Sequence, residues 1–254
     1  MTSFASRLTA ACAAGIVVLA CGEVPTFDGG IAYITPIQLP APAVAAGDVL
    51  RDSTGAVVPL SVLAYDGENQ LVAGTAATYV VNPVDTGVHI DAAGVVRVSD
   101  SVRTVQIVGR VGARLQTIAA TLDIVAQPDN MVASGTIDSL RLATASSALQ
   151  VTVTGLRKGT RVASKGIIVR YRITGTTPSR TVDPSFFFFP DGLRGDLTRA
   201  TDTTDASGFA SRTIIASDVA GLTSIEVEAT AKSLLGVPLT GSPVTFSIPV
   251  KKGS

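Results

Sequence analysis

The chain has 254 residues, of which 46% are hydrophobic and only 16% charged, and its acidic and basic side chains balance at 20 each. At roughly 100–150 residues per domain, this length accommodates one large domain or two small ones. The charge balance argues against a nucleic-acid partner, which a basic excess would indicate. One histidine, His89, and two cysteines, Cys12 and Cys21, leave little for catalysis, so we expect no enzyme, no cofactor, no metal site and no small-molecule substrate.

The N-terminal segment has the order of a bacterial signal peptide. Arg7 precedes an uncharged, mostly apolar run over residues 8–20, which is short for a membrane span. The run ends in VLAC, residues 18–21, which resembles a lipobox, the site where lipoprotein precursors are lipidated and cleaved before the cysteine. We therefore expect lipidation at Cys21 and an extracytoplasmic, membrane-anchored protein, at the periplasmic face or the cell surface. The alternative is an ordinary signal peptide that ends near Ala20.

A first series of short β-strands is predicted after a polar tether over residues 22–30. Each run is rich in branched apolar residues and is bounded by turn residues, which is typical of a sandwich or barrel. Pro36 and Pro40 place the first run at a sheet edge. This series predicts a β-sandwich over residues 31–127, with the runs IAYITPIQLP, PLSVLAYD, ATYVVNP, VHIDAAGVVRVSD, RTVQIVGRVG and LQTIAATLDIVAQP.

A second series follows a break at residues 127–130 and starts near Val132. It predicts a second sandwich over residues 128–250, before a polar tail at 251–254, with the runs TIDSLRL, ALQVTVTGL, GIIVRYRITG, SFFFFPDG, FASRTIIAS, SIEVEATAK and VTFSIPV. The form D-A-[AS]-G occurs in both series, at residues 91–94 and 205–208. It predicts turns that the aspartate carboxylate caps and a left-handed glycine closes.

The strand and turn patterns resemble two families of bacterial immunoglobulin-like domains. YVV, IDAAGVVRV and LDIV in the first series resemble the group 2 domains. ALQVTVTG, GIIVRYRITG, TDASGFASRTI, SIEVEATA and GSPVTFSIPV in the second resemble the group 1 domains of invasin and intimin, apart from an insert over residues 178–199. The resemblance implies an all-β chain of two tandem immunoglobulin-like sandwiches. Such families serve as spacers, adhesin stalks and surface modules, and they carry no catalytic residues.

The insert contains the least ordinary motif, four consecutive phenylalanines at Phe186, Phe187, Phe188 and Phe189. Side chains alternate along a strand, so only two of the four can enter one core face. The other pair must contact a partner, unless the insert folds back and covers it. The sequence does not decide whether 186 and 188 or 187 and 189 point outward.

Two arginines provide candidate rim charges for such a contact. Arg170 and Arg172 alternate with apolar residues that we expect to face the core, among them Val169 and Ile173. The arginines form either a solvated strand face or a binding stripe, which Arg157 and Lys158 would extend.

Two further groups of polar residues favour ordinary structural roles. His89 has one neighbouring acid, Asp91, and these are too few ligands for a metal. Asp202-Thr203-Thr204-Asp205 lacks the spacing of about six oxygen ligands that calcium requires, so a turn is expected there.

These observations favour a non-catalytic, lipid-anchored structural or binding protein of the bacterial cell envelope that acts through protein–protein contacts. The alternative is an accessory subunit docked on the periplasmic side of a membrane complex, for example a respiratory or photosynthetic assembly. An aromatic patch on a chain of only two dissimilar modules favours docking over a long stalk.

The anchor prediction can be tested by changing Cys21→Ser, which should leave an unlipidated precursor because the acyl chains have no thiol to join. Mass spectrometry of the mature N-terminus makes the measurement. A mature wild-type chain that begins with an unmodified residue other than Cys21 would show that the lipobox interpretation is wrong.

Overall fold

The structure, a computed structural model, describes residues 30–251. The predicted signal segment, Cys21, nearly all of the tether and the end of the polar tail therefore lie outside the described residues. The secondary-structure elements within residues 30–251 are all β-strands, so the all-β prediction is confirmed. In this part of the chain we find no helix with the length and apolar character that a membrane crossing needs.

The first module is built on a sheet in the order β2 (Ala43–Ala45), β9 (Ala120–Val125), β7 (Arg103–Val111) and β4 (Ala77–Val81). A short strand, β8 (Leu115–Gln116), also pairs with β7. β2 runs parallel to β9, and the other pairs are antiparallel. Its core includes Leu50, Ile107, Leu122 and Ile124, which have no exposed surface. The strands are β1 (Tyr33–Ile34), β2 (Ala43–Ala45), β3 (Ala64–Tyr65), β4 (Ala77–Val81), β5 (Val88–Ile90), β6 (Val96–Val98), β7 (Arg103–Val111), β8 (Leu115–Gln116) and β9 (Ala120–Val125).

The second module has two larger sheets. Its strands are β10 (Pro128–Ser134), β11 (Leu149–Arg157), β12 (Thr160–Ala163), β13 (Ile168–Thr177), β14 (Phe187–Phe188), β15 (Arg199–Thr203), β16 (Phe209–Arg212), β17 (Ile215–Ala216), β18 (Ser224–Ala231) and β19 (Val244–Pro249). In one sheet β11 pairs with β10, β12 and β16, and the other has the order β15, β13, β18, β19. β10, β11 and β16 thus take the places of strands A, B and E of an immunoglobulin-like sandwich, opposite C, F and G in β13, β18 and β19.

One buried cluster fills the space between the two sheets of the second module. Met131 and Val151 enter it from the first sheet, and Val169, Ile173 and Val227 enter it from the second. The inward orientation predicted for Val169 and Ile173 is confirmed, since they are 0% and 2% exposed.

Some predicted strands were wrong in their bounds. The run TIDSLRL, at residues 136–142, contributes only one isolated bridge, at Leu140. The strand that opens the second module is instead β10, which starts at Pro128, within the residues interpreted as a break. Proline is tolerated at the first position of a strand, where its missing N–H costs no ladder bond. The run VHIDAAGVVRVSD, by contrast, forms a hairpin, β5 and β6, on either side of the turn that the sequence predicts at residues 91–94.

The repeated D-A-[AS]-G segments form the turns that the sequence predicts. Asp91 Oδ1 accepts hydrogen bonds from the backbone N–H groups of Ala93 and Val95, at 3.0 and 2.9 Å. Asp205 Oδ1 accepts from the N–H groups of Ser207 and Phe209 in the same way. Gly94 and Gly208 have φ values of 86° and 78°, a region that residues with a Cβ rarely occupy.

The two modules contact each other through an ion pair. Lys165 Nζ, in the second module, lies 3.0 Å from Asp123 Oδ1 of the first. The Asp123 side chain is only 11% exposed, and the same oxygen also accepts a hydrogen bond from Thr104 Oγ1 at 2.6 Å. Shielding from water makes such a pair less sensitive to salt than a fully exposed one.

The modules also approach closely at glycines. The turn glycines Gly55 and Gly236 face each other, and a Cβ on either would overlap backbone of the other turn. A Cβ on Gly166 would lie 2.7 Å from the Cβ of Ala43. Glycine is therefore required at these three positions, because a Cβ there would collide with the facing module.

The core assignment predicts that Ile173→Ala lowers the free energy of unfolding by about 2–5 kcal/mol, because it removes buried methyl groups from a close-packed site. The matched control is Ile118→Ala, the same change at a side chain that is 75% exposed, where we expect a change within about 0.5 kcal/mol. Denaturant unfolding measures both. Equal losses would contradict the placement of Ile173.

Candidate protein-contact surface

The phenylalanine segment divides into a buried pair and a half-exposed pair. Phe187 and Phe189 have no exposed surface and belong to the core of the second module. Phe186 and Phe188 are half-buried. Phe187 and Phe188 form β14, which pairs with β17, and the period of two places alternate rings inside. The pair that remains available for a contact is therefore Phe186 and Phe188.

The insert folds back over part of this pair. The guanidinium carbon of Arg180 lies 4.7 Å from the centroid of the Phe186 ring, a cation–π geometry. Arg180 Nη2 donates to Asp218 Oδ2 at 2.8 Å, which holds the guanidinium in place. The backbone N–H of Ala220, and then Arg180, lower the pKa of Asp218. The carboxylate therefore stays charged and paired at neutral pH.

Arg170 and Arg172 point away from the core, as their alternation with apolar residues predicts. Both are exposed, whereas Val169 and Tyr171 beside them are 0% and 1% exposed. The Tyr171 hydroxyl donates to the carbonyl oxygen of Ala210 at 2.9 Å, in the opposite sheet. Burial, and then the charge of Asp202, raise the pKa of Tyr171. A neutral Tyr171 thus fixes the strand that presents the arginines.

The outer face of β13 is part of a shallow depression of about 360 Å³. Arg172 lies opposite Arg199 on β15 and opposite Glu228 on β18. Arg170 lies opposite Thr201 and Thr230 on the same two strands. Leu193, which is 42% exposed, lies at the margin of the depression. The surface thus combines arginines with an exposed aliphatic side chain of the insert.

Arg199 is the one arginine of this depression with an ion-pair partner among the described residues. Its Nε lies 3.0 Å from Asp196 Oδ2. A hydrogen bond from the Thr198 hydroxyl is the main cause that lowers the pKa of Asp196, and the charges of Arg199 and Arg172 act in the same direction.

The basic surface differs from the stripe that sequence alone suggests. Arg157 lies on β11 and Lys158 directly after it, in the sheet opposite β13, so they cannot extend the face of Arg170 and Arg172. Sequence reasoning missed two cations near Arg170, namely Arg199, which lines the same depression, and Lys232, which lines a neighbouring one together with Arg170. No local signal marks them, because strand pairing and turns bring them near Arg170 from distant parts of the chain.

The remaining polar candidates have structural partners or stand apart. His89 is exposed and lies opposite Arg97. Asp202 contacts the guanidinium of Arg212 at 3.2 Å and accepts from the N–H of Ser211 at 2.7 Å. Within residues 30–251, no three histidine, cysteine or acidic side chains come together in a way that could hold a metal ion.

The sequence matches no protein-family model and no curated protein. Among solved structures, the chain is similar to the Yersinia pseudotuberculosis adhesin InvE, with 15% identity, a TM-score of 0.35, and coverage of 86% of this chain and 58% of that one. It therefore spans less than two thirds of that adhesin chain.

Two shorter structures are covered almost completely. Domains 4 and 5 of the S-layer protein SbsC match with 11% identity and a TM-score of 0.32, over 87% of this chain and 98% of that one. The D0-D1 domain of intimin matches with 14% identity and a TM-score of 0.27, over 84% and 98%. Structural matches with TM-scores this low support no conclusion about function. The immunoglobulin-like strand order rests on the strand pairing described above.

The cover over Phe186 can be measured with a tryptophan reporter, since the chain has no tryptophan. In a Phe186→Trp background, Arg180→Ala and Asp218→Asn should each increase acrylamide quenching. The first variant removes the guanidinium, which contributes about 0.5–1 kcal/mol on the ring face, and the second removes the ion pair that holds it there. The control is Arg51→Ala, which removes the ion pair to Asp48 in the first module. Quenching that rises equally in the control, or in none of the variants, would mean that Arg180 does not cover this ring.

Proposed function

We propose that this protein is a non-catalytic structural and binding component of the bacterial cell envelope. A lipid on Cys21 holds it at a membrane, and the second module contacts a partner protein. The support for the anchor comes from the sequence, in the apolar run and the VLAC motif of residues 18–21. The support for the contact comes from the exposed face of β13 and from the half-buried rings of the insert, Phe186 and Phe188.

The composition of the accessible residues of the second module is the observation that carries the proposal. Protein interfaces are enriched in aromatic residues and arginine, and a few such residues supply most of the binding energy. Phe186 and Phe188 provide the aromatic part at β14, which pairs with β17, and Arg170 and Arg172 provide cations on β13, in a different sheet. Leu193 and Leu197, which are 42% and 41% exposed, add apolar area from the same insert.

The junction between the modules suits a spacer. An ion pair with a largely buried carboxylate and reciprocal glycine contacts oppose independent motion of the two sandwiches, because either would be lost on bending. A membrane-anchored pair of modules joined in this way would hold the contact surface at a defined distance from the lipid.

The second candidate is an accessory subunit that docks on the periplasmic side of a membrane complex. The insert with its two half-buried phenylalanine rings favours such a docked position. Co-purification from detergent-solubilised native membranes separates the two, since a subunit would leave the membrane in stoichiometric association with its host complex.

The contact surface is tested by the double variant Phe186→Ser/Phe188→Ser in a chain that begins at Gly22, without the apolar run and without Cys21, added to native membranes that lack the protein. Retention should weaken by about 2 kcal/mol or more, because aromatic anchors supply a large share of binding energy. The fold should persist, because the rings within the core, Phe187 and Phe189, are unchanged.

The matched control is Phe209→Ser, the same change at a ring that is 37% exposed on β16, in the opposite sheet. It should leave retention unchanged. A loss of the same size in the control, or no loss in the double variant, would contradict this site, and the contact would then be sought on the first module or on the Pro-rich segment over residues 31–42.

A further inference from the structure

The depression over β13 continues into a second one along the same sheet face. The second has a volume of about 510 Å³, and the two share Arg170, Glu228 and Thr230. It extends past Lys232 to the turn that leads into β19. We call the two depressions together the basic groove, lined by Arg170, Arg172, Leu193, Arg199, Thr201, Glu228, Thr230, Lys232, Pro238, Ser242 and Pro243 among others.

The basic groove has an excess of positive charge that the chain as a whole lacks. Four of its lining side chains are cationic, at Arg170, Arg172, Arg199 and Lys232, and one, Glu228, is acidic. The complete sequence has equal numbers of acids and bases. A local excess in a neutral protein creates a directed field, which guides and orients a partner of opposite charge.

Three of the four cations have no ion-pair partner among the described residues. The ion pairs of the second module do not include Arg170, Arg172 or Lys232. Arg172 also lies directly opposite Arg199 across the β13–β15 pair. Like charges in directly opposite positions repel each other, and two carboxylates lie near this pair, Asp196 at Arg199 and Glu228 opposite Arg172 on its other side. A bound carboxylate would add a further favourable charge beside Arg170 and Arg172.

We propose that the basic groove binds an extended acidic segment of the partner protein, an inference that rests on the proposed contact function. Arginine binds carboxylate through two parallel hydrogen bonds. Arg170 and Arg172 are two residues apart on one strand, a distance of about 7 Å. An extended peptide with acids at alternate positions presents its carboxylates at the same interval, so one segment can engage both.

The lining favours a peptide over other polyanions. The one aromatic residue among the lining, Tyr171, is 1% exposed and has its hydroxyl bonded to Ala210. The groove therefore offers no ring on which a nucleic-acid base could stack, nor an aromatic platform for a sugar ring. The Thr201 hydroxyl beside Arg170 instead suits the backbone groups of an extended chain, and the Thr230 hydroxyl, which donates to the carbonyl oxygen of Arg170 at 3.4 Å, can still accept a hydrogen bond from a peptide N–H.

The test uses the full lipidated chain in non-ionic detergent and a fluorescent poly-L-glutamate peptide at low ionic strength. Arg170→Glu/Arg172→Glu should weaken binding, measured by fluorescence anisotropy, by about tenfold or more, because both carboxylate contacts become repulsive. Sulfated dextran, a polyanion without a peptide backbone, serves as competitor and should displace the peptide poorly. Efficient displacement by dextran would overturn the assignment to a peptide.

The matched control is Arg141→Glu/Lys158→Glu, which changes the net charge by the same amount at two exposed positions outside the groove. It should keep binding within about twofold of wild type. Thermal unfolding of both double variants establishes that each remains folded. An equal loss in the control would reduce the effect to net charge and overturn the groove, as would unchanged binding in Arg170→Glu/Arg172→Glu.

This assay requires neither a membrane nor the native partner, so its outcome is separate from that of the retention experiment. If peptide binding depends on the groove while membrane retention does not depend on Phe186 and Phe188, the groove stands and the proposed envelope contact falls. If retention depends on the two rings and no peptide binds, the contact stands and the groove does not.

Discussion

The alternation of side chains along β13 is the constraint on which the second module depends. Val169, Tyr171 and Ile173 are buried against the opposite sheet, and the same alternation forces Arg170 and Arg172 into solvent. Tyr171 joins the two sheets through its hydrogen bond to Ala210. A shift of one residue in this strand would bury two guanidinium groups and expose the core. Core packing and the presentation of the basic surface are therefore one property of one strand.

The same period decides what the phenylalanine segment can do. Phe187 and Phe189 complete the core, and the Phe189 ring contacts Tyr171 edge to face, with centroids 6.4 Å apart. Of the other two rings, Phe186 is covered by Arg180 of the insert, which reduces the aromatic surface that a partner can reach. A sequence with four adjacent aromatics therefore exposes much less apolar surface than its composition suggests.

The junction between the modules links the fold to the proposed role. The Gly55 and Gly236 turns approach backbone to backbone, and Asp123 and Lys165 pair across the boundary. Side chains at the glycines would separate these surfaces, and loss of Lys165 would leave Asp123, with little exposed surface, without its cation. A protein that holds a contact surface away from a membrane gains from such a joint, because ordering the two modules in advance lowers the entropy lost on binding.

The amino-acid sequence was enough to predict the all-β class, the inward-facing residues of β13 and the turns at residues 91–94 and 205–208. These follow from local periodicity and turn chemistry, which nearby residues decide. It also supplied the lipobox prediction for Cys21, which lies outside the described residues. Three features required the folded chain. β10 begins at Pro128, and Phe186 and Phe188 are the half-buried pair of rings. Arg199 and Lys232 lie near Arg170, whereas Arg157 and Lys158 do not. Those outcomes depend on which strands pair and how the insert folds back, and contacts between residues far apart in sequence leave no local pattern to read.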